Sequence, residues 1–144
     1  MTELPVTALL DVNVLIALFD PTHSMHARAR AWFAGSTGKI ATCPITELGF
    51  ARITSNPRYA NPFATTNDAV VILRQLHAHQ RHVFWPDALS LAAPAFETHG
   101  FDSHRQSTDR YLLRIAIHFG GQLATLDAGI IGKDEFEQAA LLQL

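Results

Sequence analysis

The sequence predicts an α/β fold, a three-layer α/β/α sandwich with a mainly parallel central sheet. Short apolar runs alternate with segments of helical periodicity along the 144 residues, and this alternation is typical of α/β proteins. The apolar runs are nearly continuous, as expected for strands that are buried on both faces. No repeat, linker or low-complexity segment divides the chain, and its length fits one domain, so we predict a single domain at residues 1–144.

Four short apolar runs are the candidate strands: ALLDV at 8–12, KIATC at 39–43, HVFWP at 82–86 and QLATLD at 122–127. Six segments have helical spacing: NVLIALFD at 13–20, SMHARARAWFAG at 24–35, TELGFARI at 46–53, TTNDAVVILRQLHAHQ at 65–80, DALSLAAPAFETHG at 87–100 and STDRYLLRIAIHFGG at 107–121. Pro94 should interrupt the fifth helix, while Ser107 or Thr108 should cap the sixth and Gly120 should close it. The sequence SNPRYANP at 55–62 predicts a loop. The tail at 135–144 fits a last helical turn leading to an edge strand, and the pattern leaves helix and strand both open.

Composition limits the cellular setting and the kinds of site. An apolar fraction of 48% is sufficient for a core, and the periodic segments are too short to span a bilayer. The single cysteine, Cys43, excludes an internal disulfide and a cysteine-rich zinc site. No basic-then-apolar leader precedes the first apolar run, so we expect a cytoplasmic protein without membrane association. A net charge of −2 is not by itself typical of nucleic-acid binding.

Four acidic residues occupy related positions in the predicted fold. Asp11 and Asp127 each close an apolar run, whereas Glu47 and Asp109 each stand near the start of a segment with helical periodicity. In a parallel sheet, the carboxyl ends of strands and the amino ends of helices lie at the same edge, where ligands bind. Carboxylates gathered there would repel one another unless a cation held them. The set therefore predicts a Mg²⁺ or Mn²⁺ site suited to phosphate chemistry.

Each of these residues also has an ordinary structural interpretation. Asp11 and Asp127 could cap the helices that follow them, and Glu47 and Asp109 could be acids favoured in a first helical turn. Two neighbouring polar residues could assist a metal site. Asn13 and Thr125 could orient a carboxylate or a metal-bound water, or they could serve only in local capping and strand packing.

The ordered set of motifs resembles the PIN domain of the VapC toxin type. The resemblance covers about residues 8–131 and rests on LLDVNVLIALFDPTHSMHARARAWF, ITELGFARI and STDRYLLRIAIHFGGQLATLD. It implies a Mg²⁺- or Mn²⁺-dependent endoribonuclease with an α/β/α sandwich, in which a metal-activated water hydrolyses RNA. The family's acids fall on Asp11 in LLDxN, Glu47 in TE, Asp109 in TDxYL and Asp127 in TxD.

The resemblance also implies partners and roles. Relatives of this kind form homodimers and are inhibited by a cognate antitoxin whose carboxyl-terminal segment covers the acidic site. All four acids are expected to be catalytic, with Asp11, Asp109 and Asp127 as metal ligands and Glu47 acting through a bridging water. Three arginines that follow or neighbour the third acid, Arg105, Arg110 and Arg114, are candidate RNA contacts. Solvated charges and internal salt bridges are the alternative for them.

The histidines give zinc little support. The chain has eight, and His77, His79 and His82 lie close together in sequence, but no cysteine partner or HExxH pattern accompanies them.

Two other functions remain as alternatives. A phosphatase of the haloacid-dehalogenase kind also places an Asp after its first strand, but it needs a second Asp where Asn13 stands. A non-catalytic binding module could use the acidic pocket to receive an arginine from a partner. The sequence leaves open which RNA is cut, whether one or two metals bind and which antitoxin pairs with the chain.

Overall fold

The computed structural model describes residues 5–59 and 65–144, and its centre is a sheet of parallel strands. The strands in the described residues are β1 Ala8–Leu10, β2 Ile40–Thr42, β3 His82–Phe84, β4 Gln122–Thr125 and β5 Leu141–Gln143. Their spatial order is β3-β2-β1-β4-β5, and every neighbouring pair is parallel. The order places β1 at the centre, directly between β2 and β4, so the segments that follow these three strands are neighbours in space.

Helices connect the strands and cover the sheet. In the described residues they are α1 Val12–Phe19, α2 His26–Gly35, α3 Pro44–Thr54, α4 Thr66–His77, α5 Ser107–His118 and α6 Glu135–Ala140, with a 3₁₀ turn at His104–Gln106. The predicted α/β fold is confirmed. Among these helices, none combines the length and the apolarity needed to cross a bilayer.

The central strands send successive side chains to opposite faces of the sheet, as their period of two requires. Leu10 belongs to a core built with α1, α2, α3 and α4. Leu9 belongs to a second core, built with α5 and α6. Both leucines are fully buried. The two cores give the helix, sheet and helix layers that the apolar runs predict.

The predicted helix at 87–100 is wrong. This segment forms successive turns, with Ala93 N donating to Ser90 O at 3.1 Å and Phe96 N donating to Ala93 O at 2.9 Å. Pro94 lacks an N–H for a helical hydrogen bond and disfavours helical geometry in the residue before it. Most side chains of the segment are exposed, so a helix there would bury little apolar surface to stabilise it.

Two predicted helix boundaries also need correction. Ser107 and Thr108 do not cap α5, because the 3₁₀ turn precedes it and both residues lie inside the helix. No helix follows Asp127, whose Oδ1 instead accepts from Gly129 N at 2.8 Å within a turn. The tail forms a short helix and then an edge strand, which are α6 and β5. The predicted loop at 55–62 begins in turns, and residues 60–62 lie outside the described residues.

Candidate active site at the carboxyl edge of the sheet

Asp11 is the most buried of the acids at this edge. It directly follows β1 and caps α1, since its Oδ1 accepts from Val12 N at 2.7 Å. Its Oδ2 accepts from Thr125 Oγ1 at 2.8 Å. Burial raises the pKa of Asp11 and the charge of Asp127 raises it further, while the hydrogen bonds from Thr125 and Val12 act in the opposite direction. The capping interpretation and a ligand role are therefore compatible, because a carboxylate oxygen has more than one acceptor site.

Thr125 joins the ends of β1 and β4. It is fully buried, and its hydroxyl donates to Asp11 while accepting from Asp127 N at 3.0 Å and from Asn13 Nδ2 at 3.4 Å. Asn13 Oδ1 also accepts from Leu126 N at 3.1 Å. One hydroxyl thus sets the position of the Asp11 carboxylate relative to the backbone that carries Asp127.

Asp109 completes the group from the opposite layer. It lies in the first turn of α5 and is half-buried. Burial raises the pKa of Asp109 to about 6, the charges of Asp11 and Asp127 raise it as well, and Arg110 acts in the opposite direction. The charge of Asp127 acts on Asp11, and the charges of Asp11 and Asp127 act on Asp109, so the structure brings these three aspartates close together.

Asp109 and Asp127 border a cavity of about 250 Å³, whereas Asp11 does not line it. Arg105 and Lys133 also line it and supply cationic groups, which together are called its cationic wall. The cavity therefore combines carboxylate oxygens with donors for a phosphate.

The oxygen donors fit a hard divalent cation. Asp11, Asp109 and Asp127 offer carboxylates, and Mg²⁺ and Mn²⁺ prefer oxygen ligands. Burial first, and the neighbouring aspartate charges second, raise the pKa values of Asp11 and Asp109, so both effects disfavour the ionised carboxylates without a counter-charge. A cation would offset that repulsion and keep the carboxylates ionised.

Comparison with known proteins assigns the fold to a family, since residues 8–135 match the model of the PIN domain. The chain belongs to the PIN domain family. Ribonuclease VapC39 of Mycobacterium tuberculosis strain ATCC 25618 / H37Rv is 42% identical over 126 residues, covering 86% of this chain and 91% of that protein. Ribonuclease VapC29 of the same strain is 43% identical over 124 residues, covering 86% of this chain and 88% of that protein. The resemblance to VapC-type PIN domains is confirmed.

A solved structure agrees with this assignment. The PIN domain is similar to the crystal structure of Mycobacterium tuberculosis VapC20, a toxin that cleaves the sarcin-ricin loop. The TM-score is 0.57 at 12% sequence identity, and the match covers 95% of this chain and 98% of that one. At this identity the likeness concerns the fold alone, and it supports the PIN-like α/β architecture.

Glu47 lies on the first turn of α3, but its carboxylate turns towards β2 and β3. Its Oε2 accepts from Thr42 Oγ1 at 2.7 Å and contacts His77 Nε2 at 2.5 Å. Thr42 Oγ1 in turn lies 2.7 Å from His82 Nε2. Burial first, and other aspartates second, raise the pKa values of Asp11 and Asp109, and Glu47 is not among the causes. In this PIN domain the fourth acid therefore belongs to a neighbouring cluster with the histidines.

Two of the three candidate RNA-contacting arginines are engaged inside the protein. Arg110 is only 2% exposed and donates to Glu137 Oε1 and, at 2.6 Å, to Ile131 O. Arg114 donates to Glu137 Oε2 at 3.2 Å and to His99 O at 2.8 Å. The interpretation of Arg110 as an RNA contact is corrected on this ground, because α6 supplies a buried partner. Arg105 is exposed at the cavity.

Sequence reasoning missed Lys133 and Glu137. Lys133 lies in an exposed turn, where its sequence gives no sign of proximity to the acids. Glu137 is 1% exposed and anchors α6 to α5 through Arg110 and Arg114. The sequence feature that could have indicated the role of Glu137 is an acidic residue within an otherwise apolar face of α6.

Proposed function

We propose that this PIN domain is a Mg²⁺- or Mn²⁺-dependent endoribonuclease and the toxin of a toxin–antitoxin pair. The observation that carries the proposal is the convergence of Asp11, Asp109 and Asp127 beside a cavity with cationic walls. Relatives that are 42% and 43% identical over most of their length are ribonucleases by name, which supports the same activity here.

The carboxylates would hold the ion, and their neighbours would keep them in place. Asp11 is fixed by hydrogen bonds from Val12 and Thr125, so it would contribute a preorganised ligand. Asp109 is half-buried and Asp127 is exposed, which lets both face the cavity and solvent. When bound, the cation supplies positive charge that offsets charge on the phosphodiester, and it makes a water molecule a better nucleophile. Asn13 would act with Thr125 to orient Asp11 and the Asp127 backbone.

Glu47 would take part at longer range. Its position on α3 is fixed at the same edge of the sheet. We assign it the positioning of the nucleophilic water, released from its contact with His77 when RNA is bound.

RNA would be held by the cationic wall of the cavity. Arg105 and Lys133 lie beside Asp109 and Asp127, and arginine and lysine donate readily to phosphate oxygens. Arg114 retains partial exposure while it binds Glu137, so it would contribute mainly by ordering this wall.

Partners form part of the same proposal. A cognate antitoxin would cover the acidic site, and two copies of the chain would form a homodimer. Exposed apolar side chains would provide contact area, with exposures of 69% for Leu48, 62% for Ile131 and 76% for Phe136, and Ile131 also lines the cavity.

The decisive experiment compares the wild type with Asp11→Asn. The purified proteins would be incubated with total RNA in Mg²⁺, in Mn²⁺ or in EDTA, and the cleaved ends would be sequenced. We expect specific 5′-phosphate ends from the wild type with metal, and their loss in EDTA and in the variant. Glu97→Gln, which neutralises an exposed carboxylate in the 87–100 segment, is the control that should cleave normally. Undiminished cleavage by Asp11→Asn with an intact fold would contradict the proposal.

The same assay separates the alternatives. A phosphatase would give a trapped phosphate on Asp11 and no RNA ends. A non-catalytic module would bind a basic partner in both the wild type and Glu97→Gln without cutting RNA.

A further inference from the structure

Glu47, His77 and His82 form a cluster of metal-ligand type at one side of the aspartate group. They come from α3, the end of α4 and β3, and each offers one ligand atom within 4.8 Å of the other two. The imidazole rings of His77 and His82 lie 4.1 Å apart between centroids, with 30° between their planes. Separate elements therefore bring two nitrogen donors and one oxygen donor to a single point.

This donor set differs from that of the aspartate group. Two imidazole nitrogens with one carboxylate suit zinc and related transition metals, whereas Mg²⁺ prefers oxygen alone. Ligand atoms around a tetrahedral zinc ion stand roughly 3.4 Å apart, given bonds of about 2.0–2.2 Å. The cluster needs only small side-chain movements to reach that spacing, including the opening of the 2.5 Å contact between His77 and Glu47.

The surroundings of the cluster favour ligation. Burial lowers the pKa of His82 to about 4, so this imidazole is neutral near pH 7 and can offer a lone pair. Thr42 Oγ1 lies 2.7 Å from both Glu47 Oε2 and His82 Nε2, which restricts the orientation of the two groups. The side chains of His77 and Glu47 are 39% and 21% exposed, so an ion can enter from solvent.

We propose that Glu47, His77 and His82 form a binding site for a divalent transition metal such as Zn²⁺, separate from the aspartate group. Three protein ligands leave one coordination position for water or for a fourth donor. Thr42 Oγ1 donates to Glu47, so His82 Nε2 donates to Thr42 in the metal-free protein. Ligation through Nε2 breaks that hydrogen bond and leaves the His82 proton on Nδ1. The proton between His77 Nε2 and Glu47 Oε2 passes to His77 Nδ1 or to water.

Binding of Zn²⁺ at this cluster would affect RNA cleavage, and this effect rests on the proposed function. An ion at this cluster holds the Glu47 carboxylate, which then cannot serve the aspartate group. Zn²⁺ would therefore inhibit RNA cleavage through His77 and His82. Binding itself does not depend on ribonuclease activity, so the two statements can fail separately.

The test measures metal binding directly, on untagged full-length protein freed of metal by chelation. Titration calorimetry with Zn²⁺ in the presence of saturating Mg²⁺, which occupies the aspartate group, should show one site, and Co²⁺ should give the visible absorption bands of a tetrahedral complex. His82→Ala and His77→Ala should each weaken Zn²⁺ binding by at least about tenfold, since the loss even of groups that only support a ligand costs about 10–100-fold. His77 ends an exposed helix turn, so His77→Ala remains informative if His82→Ala fails to fold.

Two controls decide which residues hold the ion. His118→Ala removes an exposed histidine at the end of α5, and Asp11→Asn changes the aspartate group; neither should alter this Zn²⁺ affinity. The proposal is overturned if the wild type binds no Zn²⁺, if His77→Ala binds as tightly as the wild type, or if either control loses the site equally. Zn²⁺ binding without an effect on RNA cleavage would leave the metal site standing and would contradict only the role given to Glu47.

Discussion

The Thr125 hydroxyl donates a hydrogen bond of 2.8 Å to Asp11 Oδ2, connecting β4 to the carboxylate that follows β1. The two residues are 114 positions apart in sequence, yet the adjacency of β1 and β4 brings them together. Because Asp11 is buried, this hydrogen bond helps to offset the cost of removing its carboxylate from water.

Replacement of Thr125 by valine tests this relationship. Thr125→Val keeps the side-chain shape but removes the donor, so the pKa of Asp11 should rise further. We expect a loss of about 1–2 kcal/mol in the free energy of unfolding and a loss of about tenfold or more in RNA cleavage. Urea denaturation and the cleavage assay measure the two effects. Thr125→Ser retains the hydroxyl and should remain close to the wild type; an equal loss in both variants would assign the effect to packing.

The aspartate group should make metal-free protein less stable as the pH rises. Burial raises the pKa of Asp109 in the folded protein to about 6, above the ordinary aspartate value of 3.8, so between these values the folded state binds more protons than the unfolded state. Stability must therefore fall with increasing pH across that window. Urea denaturation in EDTA from pH 4 to pH 7 should show this decrease, and Asp109→Asn should reduce it.

Adding Mg²⁺ tests the same aspartate group in the opposite direction, because it should raise the stability of the protein. Adding Mg²⁺ at pH 7 should raise the stability of the wild type more than that of Asp109→Asn, because binding to the folded state stabilises it. An identical pH dependence in the two proteins, with and without Mg²⁺, would show that Asp109 is not the titrating group.

The aspartates were predicted to lie at one edge because the carboxyl ends of parallel strands and the amino ends of helices share that edge of the sheet. Asp11 and Asp127 follow neighbouring parallel strands, and Asp109 begins the helix that packs against them. Glu47 was predicted at the same edge, and its backbone is there. The direction of its side chain depends on His77, which is 30 residues away, so no local pattern could reveal it.

The misassigned segment at 87–100 has a different cause. Its alanines and leucines favour a helix by composition, but helix formation also requires an apolar face that packs against something. Most of its side chains are exposed in the folded chain, and turns satisfy its backbone instead. The buried Glu137 was missed because its partner Arg110 lies 27 residues earlier and was interpreted as a surface group.

Glu137 should be among the most sensitive positions for stability. Its carboxylate is 1% exposed and accepts from Arg110, Arg114 and Lys133 N. Glu137→Gln leaves the Arg110 guanidinium, itself 2% exposed, without a compensating charge, and breaking such a buried pair costs about 3–5 kcal/mol. Chemical denaturation should show this loss. Glu135→Gln on the exposed side of α6 should change stability by no more than about 0.5 kcal/mol, and equal effects would contradict the internal role of Glu137.

Arg105 should strengthen RNA binding through its charge, and to the same extent for every RNA sequence. It is exposed beside Asp109 and Asp127, so Arg105→Ala should weaken binding and lower the salt dependence of the affinity by about one ion. Binding would be measured in the Asp11→Asn background, which prevents cleavage, with the RNA recovered from the end-sequencing experiment. Arg28→Ala removes an equally exposed arginine on α2 and should leave both quantities unchanged. If the two substitutions had the same effect, RNA binding would reflect the net charge of the protein rather than a phosphate contact at the cavity wall.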